Sequence, residues 1–306
     1  MKFQERDGAI LEALYTYDGV LAKRQLKQLF WPEATWRAME LRLEELHRHG
    51  YIAWPTQDER RTKPIVEPVC WLGPKGMAWL LGKWGIDVDV PDAPSEATVR
   101  KIGRALRKQG LRWQVAPNWN QLTHDLTVVD VRLAIEHAVR EVPHLTLGCW
   151  IPESLFRMQM DVVEYDVPNS RGESHHAKRG VCPDGYCEIV DRKRAARGAP
   201  ARARFLIEVD TGTHDVGSFL REKIQAGATY VQSNAYRLRF GDNGGRWLVV
   251  TRSDTRLAHL MREIRPLPAG RVFLFTTQSR ITATNVLLAP IWQQTSTAAP
   301  LALMSE

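Results

Sequence analysis

Two acidic steps at the ends of successive apolar runs constrain this chain more than any other feature. Pro183-Asp184 precedes the short run 186–190, and Glu208-Val209-Asp210 closes the strongly apolar run 204–209. Short apolar runs of this kind, bounded by turn signals, are expected to be buried strands. The interval between the two acidic steps holds two strands and a loop, so a hairpin would set Asp184 and Glu208 side by side. Carboxylates so placed repel each other unless a cation or a proton offsets them. A hard divalent cation takes oxygen ligands, and Mg²⁺ in particular keeps several waters of its own. The expected metal ligands are therefore Asp184, Glu208 and Asp210, with Mg²⁺ or Mn²⁺ as the ion. Lys223, in the helical run that follows, is placed to reach back and stabilise negative charge or orient a water. The alternative for Glu208 and Asp210 is a strand-end pair capping the turn Thr211-Gly212-Thr213.

Around this pair the apolar periodicity reads α-β-β-β-α-β-α-β. A long helix is expected within 118–141. Strands follow at 157–166, 186–190 and 204–209, then a helix at 216–231, a strand at 247–251, a helix at 254–264 and a strand at 272–277. That order describes a mixed sheet with helices on its faces. The segment from Ala289 onward, rich in Thr, Ala, Ser and Pro, reads as a flexible tail.

The first eighty-odd residues read differently: three helices, a hairpin and a fourth helix. Ile10, Leu11 and Leu14 line the first helix, Leu26 and Leu29 the second, and Met39, Leu43 and Leu46 the third. Gly50 supplies the stop signal of the third helix. Strands are expected at 51–54 and 65–72, with a charged tip carrying Arg60, Arg61 and Lys63. This is the order of a winged helix-turn-helix, in which the third helix enters the major groove and the hairpin touches the backbone. Trp36, Arg37 and Arg42 lie off the apolar stripe of the third helix and are expected to face DNA. Arg60, Arg61 and Lys63 are expected on phosphates. The same fold also serves dimerisation or peptide binding, and Trp36 alone fits a core position.

Charge bears on the partner. The chain has a formal net charge of +7 and a pI near 9.3, which favours an anionic partner without fixing a fold. Two basic runs contain no acid. One holds Arg100, Lys101, Arg104, Arg107, Lys108 and Arg112; the other holds Arg192, Lys193, Arg194, Arg197, Arg202 and Arg204. Either alone reads as a solvated face. Beside a candidate phosphate-chemistry site they point to nucleic acid, with Arg192, Lys193 and Arg194 as contacts. Cys70, Cys149, Cys182 and Cys187 form no C-x-x-C pair and are expected to be reduced thiols. With no apolar membrane span and no apolar leader, the expectation is a cytoplasmic protein associated with nucleoid or plasmid.

These residues carry a resemblance. Pro183-Asp184, Glu208 and a displaced lysine, Lys223, on the α-β-β-β-α-β order resemble the PD-(D/E)xK superfamily, the restriction-endonuclease-like fold. Over about residues 5–280 the chain is similar to the replication-relaxation family of plasmid and phage-type elements. The similarity rests on the W-L-G-P-K-G ending of the wing, His124 to Asp130, Trp150 before Pro152-Glu153, Pro183-Asp184-Gly185, and the motif Phe205 to Thr213 followed by Lys223 and Tyr230. The residue that would be the lysine of E-x-K is Asp210, which is why Lys223 is considered as a migrated replacement.

The expected architecture is α+β. A winged helix-turn-helix domain spans 1–85, a linker and basic helix 86–117, a nuclease-like domain 118–288 and the tail 289–306. The resemblance implies a DNA-binding protein of a mobile element, with Asp184, Glu208, Asp210 and Lys223 as the catalytic set of a Mg²⁺-dependent endonuclease or nickase acting on double-stranded DNA. Two alternatives stand beside it. One is a non-catalytic regulator of replication or transcription; the other is a module recruiting a replication or transposition partner, with a homodimer as a further possibility.

Overall fold

The computed structural model describes residues 1–168, 174–212 and 215–304. Thr213, the last residue of the Phe205 motif, lies outside the described residues. The chain is mixed α+β and divides into two compact units, Met1–Val129 and Asp130–Glu306.

The first unit opens with α1 (Glu5–Thr16), β1 (Val20–Ala22), α2 (Lys23–Phe30) and α3 (Trp36–Arg48). Thr35 caps α3 by accepting the Ala38 N–H at 3.3 Å. The stripe Met39, Leu43 and Leu46 is fully buried. β2 (Ile52–Ala53), α4 (Gln57–Thr62) and β3 (Val69–Leu72) follow. β3 lies between β1 and β2 and pairs antiparallel with both. The charged tip between the strands carries α4, because Thr56 and Glu59 close a reciprocal capping box at its start. α5 (Pro74–Lys83) begins with proline at its first turn. The two glycines of W-L-G-P-K-G are required by close approach. A Cβ at Gly73 would stand 2.4 Å from the Gly50 carbonyl oxygen, and one at Gly76 would stand 2.1 Å from that of Tyr51. α6 (Glu96–Lys108) buries Thr98, Ile102 and Leu106 and turns its basic residues outward. α7 (Leu122–Glu141) contains the residue at which the units divide.

The second unit adds β4 (Leu145–Pro152), α8 (Glu153–Met158), β5 (Asp161–Pro168), β6 (Ser174–Val181), β7 (Gly185–Asp191), α9 (Arg192–Ala196) and β8 (Arg202–Asp210). Then come α10 (Val216–Phe219), a π turn over Leu220–Ile224, α11 (Gln225–Gln232), α12 (Asn234–Phe240), β9 (Arg246–Thr251), α13 (Asp254–Ile264) and β10 (Phe273–Thr277). The main sheet has the order β10-β9-β8-β7-β4. β4, β7 and β8 form an antiparallel meander, whereas β8, β9 and β10 run parallel. β5 and β6 form a separate two-stranded sheet. One core joins Tyr186, Leu206, Val249 and Phe275 of the main sheet to Tyr230, Tyr236 and Leu260 of the helices.

Three sequence expectations differ from this architecture. The first strand of the main sheet is residues 145–152, not 157–166. β4 is an edge strand with only Leu145 buried, so its apolar pattern is weak. The alternation in 157–166 belongs to the separate hairpin, where Val163 and Tyr165 point into the core, while Arg157 and Met158 end α8. The helix expected over 216–231 is continuous from 216 to 232, but it widens into the π turn over Leu220–Ile224 that periodicity alone does not reveal. The segment expected to be a tail from Ala289 is tied down through Met304. Trp292 is fully buried and donates to the Val286 carbonyl at 2.9 Å, Gln293 pairs with Phe275, and the Met304 N–H reaches the Leu287 carbonyl at 2.9 Å. A buried indole outweighs the polar composition around it.

Candidate active site

The carboxylate pair sits where β7 begins beside the end of β8. The two strands pair antiparallel, and their register stops with Gly185 opposite Ile207. Asp184 lies in a bend just outside β7. Lys223 is attracted by both Glu208 and Asp184, so the two carboxylates share one ammonium as neighbour. The Asp184 N–H donates to the Ile207 carbonyl at 2.9 Å, and Asp184 Oδ2 accepts the Val209 N–H at 2.7 Å. Asp184 and Glu208 are 5% and 7% exposed.

Lys223 sits in the π turn, a local widening that recurs at functional positions. Its Nζ lies 2.9 Å from Glu208 Oε1 and 3.0 Å from Oε2. Burial opposes the ammonium form, but attraction to Glu208 and then Asp184, with the Glu208 hydrogen bond, overcomes it and holds the Lys223 pKa above its ordinary value. Formally, Asp184, Glu208 and Lys223 together carry one net negative charge. Nearby, Arg157 Nη2 contacts Glu153 Oε1 at 2.6 Å. Burial, with help from Glu153, pushes the Cys182 thiol up to about 11, while Arg157 and Lys223 pull it back.

Asp210 is held apart from this pair. Strand alternation puts it on the face of Glu208, but Arg256 at the start of α13 holds it in a fork. Arg256 Nε meets Oδ2 at 2.6 Å and Nη2 meets Oδ1 at 3.2 Å. The Gly212 N–H adds a third bond to Oδ1 at 3.0 Å. The side chains of Arg256 and Asp210 are 12% and 3% exposed. Asp210, expected as the third ligand, is thus engaged as an anchor between β8 and α13. Among the described residues, no group of three or more His, Cys, Asp or Glu could hold a metal ion.

A family model for replication-relaxation matches residues 11–241 of this 306-residue chain. The chain belongs to the replication-relaxation family. No curated protein and no solved structure matches it. Membership of the replication-relaxation family suggests a role in replication of a plasmid or mobile element. Among the described residues, no helix is long and apolar enough to cross a membrane.

The residues expected to meet DNA divide into those that are presented and one that is not. Trp36 is 51% exposed at the start of α3, and Arg37 beside it is exposed. Arg42 is turned inward. Its Nε donates to Asp7 Oδ1 at 2.7 Å, its Nη2 bonds the other Asp7 oxygen and the Lys2 carbonyl, and Glu45 takes Nη1. Asp7 is fully buried, so the guanidinium serves a buried charge instead of a groove. Arg60, Arg61 and Lys63 are exposed on and just after α4, with Arg60 Nε donating to the Pro55 carbonyl at 3.1 Å. The outward face of α6 adds Arg100, Lys101, Arg104, Arg107 and Lys108, which the sequence alone leaves as a solvated face.

Arg192, Lys193 and Arg194 are exposed on α9, at the end of β7 opposite to Asp184. At about 3.3 Å per residue, that strand separates them from the carboxylates by roughly 23 Å. Arg202 and Arg204 of the same basic run are engaged with Glu188, at 2.8 and 3.1 Å.

Proposed function

We propose that this replication-relaxation protein binds double-stranded DNA through a winged-helix unit and cleaves or nicks it at Asp184, Glu208 and Lys223. The observation that carries the reading is Lys223, which is shared between the two oxygens of Glu208 and attracted by Asp184 as well, both carboxylates being nearly buried. The donor set fits Mg²⁺, which uses one or two carboxylates and fills its remaining positions with water and substrate phosphate. Asp184 and Glu208 would hold the ion. Bound there, it would activate a water and neutralise charge on the scissile phosphate. Asp184 is oriented by the Val209 N–H, and Lys223 offers its ammonium to the anionic transition state. Asp210 positions the strand end through Arg256 and touches no reacting atom.

In the first unit, the order α1-β1-α2-α3-β2-β3, with β3 central, supports the winged-helix reading. Trp36 and Arg37 face the groove, and Arg60, Arg61 and Lys63 take phosphates. α9 takes phosphates well away from the cut.

A second reading rests on a specific observation. Lys223 already satisfies both Glu208 oxygens, and the Val209 N–H meets Asp184. Such a cluster can stand as an internal ion pair in a DNA-binding regulator without catalysis. Supercoiled plasmid incubated with protein and Mg²⁺ or Mn²⁺ separates the two. Nicking that disappears in Asp184→Ala supports the enzyme. Salt-sensitive binding with no nicking supports the regulator.

A further inference from the structure

Beside the carboxylates lies a cavity of about 300 Å³ that the sequence does not announce. Its walls include Met160, Arg179, Cys182, Glu222, Lys223 and Ala226. It shares Lys223 with the candidate site, and Cys182 stands two residues before Asp184. Its volume is at the lower limit of small-molecule sites, which run from about 300 to 1,000 Å³. A chamber of that size takes one nucleotide and excludes a duplex, whose major groove alone is about 12 Å wide.

The lining has two chemical halves. Arg179 on β6 is exposed and, among the described residues, makes no ion pair. With Lys223 it offers two cations to a phosphate. Met160 is 53% exposed, and its soft thioether beside Ala226 offers a surface for the flat face of a base. Gly180 gives Met160 its place, since a Cβ there would stand 2.6 Å from the Met160 sulfur. Glu222, exposed at the wall, repels phosphate but accepts hydrogen bonds from the exocyclic amines that adenine, cytosine and guanine carry.

We infer that this chamber, formed where the β5–β6 hairpin meets the helix bearing Lys223, seats one unpaired nucleotide of the DNA strand engaged at Asp184 and Glu208. The inference rests on the nuclease reading and narrows its substrate to DNA with an unpaired tract, such as a melted origin or a flap. The walls are suited to a base already free of its partner, because a paired base would have to leave its stack to enter.

The test uses the full chain and a 5′-phosphorylated, fluorescently labelled single-stranded hexanucleotide, with binding read by anisotropy. Arg179→Ala removes the exposed cation of the wall and is expected to weaken binding about tenfold, the usual worth of a hydrogen bond to a charged group. Gly180→Leu displaces Met160 from an exposed hairpin position and is expected to weaken binding similarly while leaving the melting temperature unchanged. Arg262→Ala, an exposed cation on α13 outside the chamber's lining, leaves hexanucleotide binding as it was. Equal affinities in wild type, Arg179→Ala and Gly180→Leu would overturn the inference, whether or not DNA is cut. Cleavage is scored separately, on a duplex with a central unpaired bubble and on its fully paired counterpart. Loss of the bubble preference in both variants supports the chamber. Equal cutting of the two DNAs by wild type counts against it. Absence of cutting on either DNA strikes the nuclease reading, and the anisotropy result then decides the chamber alone.

Discussion

Replacing Asp210 by asparagine distinguishes a metal ligand from a structural anchor. The substitution keeps side-chain size and an oxygen for the Gly212 N–H, but it removes the charge that the Arg256 fork holds. Both side chains are largely buried, at 3% for Asp210 and 12% for Arg256. Breaking a buried ion pair by removing one partner costs about 3–5 kcal/mol, because the other charge is left uncompensated. The residual exposure of Arg256 lets water reach it, so the lower end, about 3 kcal/mol, is expected. For a unit the size of residues 130–306, each kcal/mol lowers Tm by about 2–4 °C, which gives a fall of about 6–12 °C. Calorimetry on the full chain, with melting assigned to each unit, measures it. The double variant Asp210→Asn with Arg256→Gln is expected to lose less than the sum of the single losses, since the orphaned charge is gone. An Asp210→Asn protein that melts like wild type yet no longer binds Mn²⁺ would refute the anchor and restore Asp210 as a ligand.

Other expectations follow the same logic. Arg42→Ala should destabilise the first unit by about 3 kcal/mol, because it strips the fully buried Asp7 of its guanidinium. Arg61→Ala should leave melting unchanged and reduce the salt dependence of DNA binding by about one unit of slope, and a lowered Tm would contradict its exposure. The Lys223 pKa is raised in the folded state. The stability from its pairing is therefore fully present below the unfolded lysine value near 10.4 and is lost only as pH climbs through the higher folded value. Melting temperature and metal-dependent nicking should show no lysine-linked decline between about pH 7 and 10; a decline there that Lys223→Gln abolishes would contradict the pairing. Burial pushes the Cys70 thiol up to about 12 and raises Cys187 as well. A thiol-directed disulfide reagent should therefore label the exposed Cys149 first and reach Cys70 and Cys187 only on unfolding, as peptide mass spectrometry would show.

Much of the fold was legible in local pattern. The buried stripe of α3 follows from helical spacing, and β7 and β8 from short apolar runs ending in acids. That Asp184 meets the end of β8 follows from the pairing of two short strands with few registers open to them. What escaped reading has a common cause. β4 lies at the sheet edge and lacks a buried stripe, so it gives no strong signal. The C-terminal segment looks polar but is fixed by a single buried tryptophan. The exposed basic face of α6 carries the same residues as a solvated helix would.

By itself, the sequence determined that acidic side chains would cap adjacent strands, that a helical unit with a glycine-bounded hairpin would precede them, and that basic residues would cluster in two runs. Those are consequences of period, turn chemistry and charge, all of which act over a few residues. Only the tertiary structure decided which charges remain available. Arg42 finds Asp7 across 35 residues, Arg256 finds Asp210 across 46, and Lys223 reaches Glu208 from a π turn. Each pairing depends on where packed elements bring two side chains once water has been excluded, and no local pattern encodes that meeting.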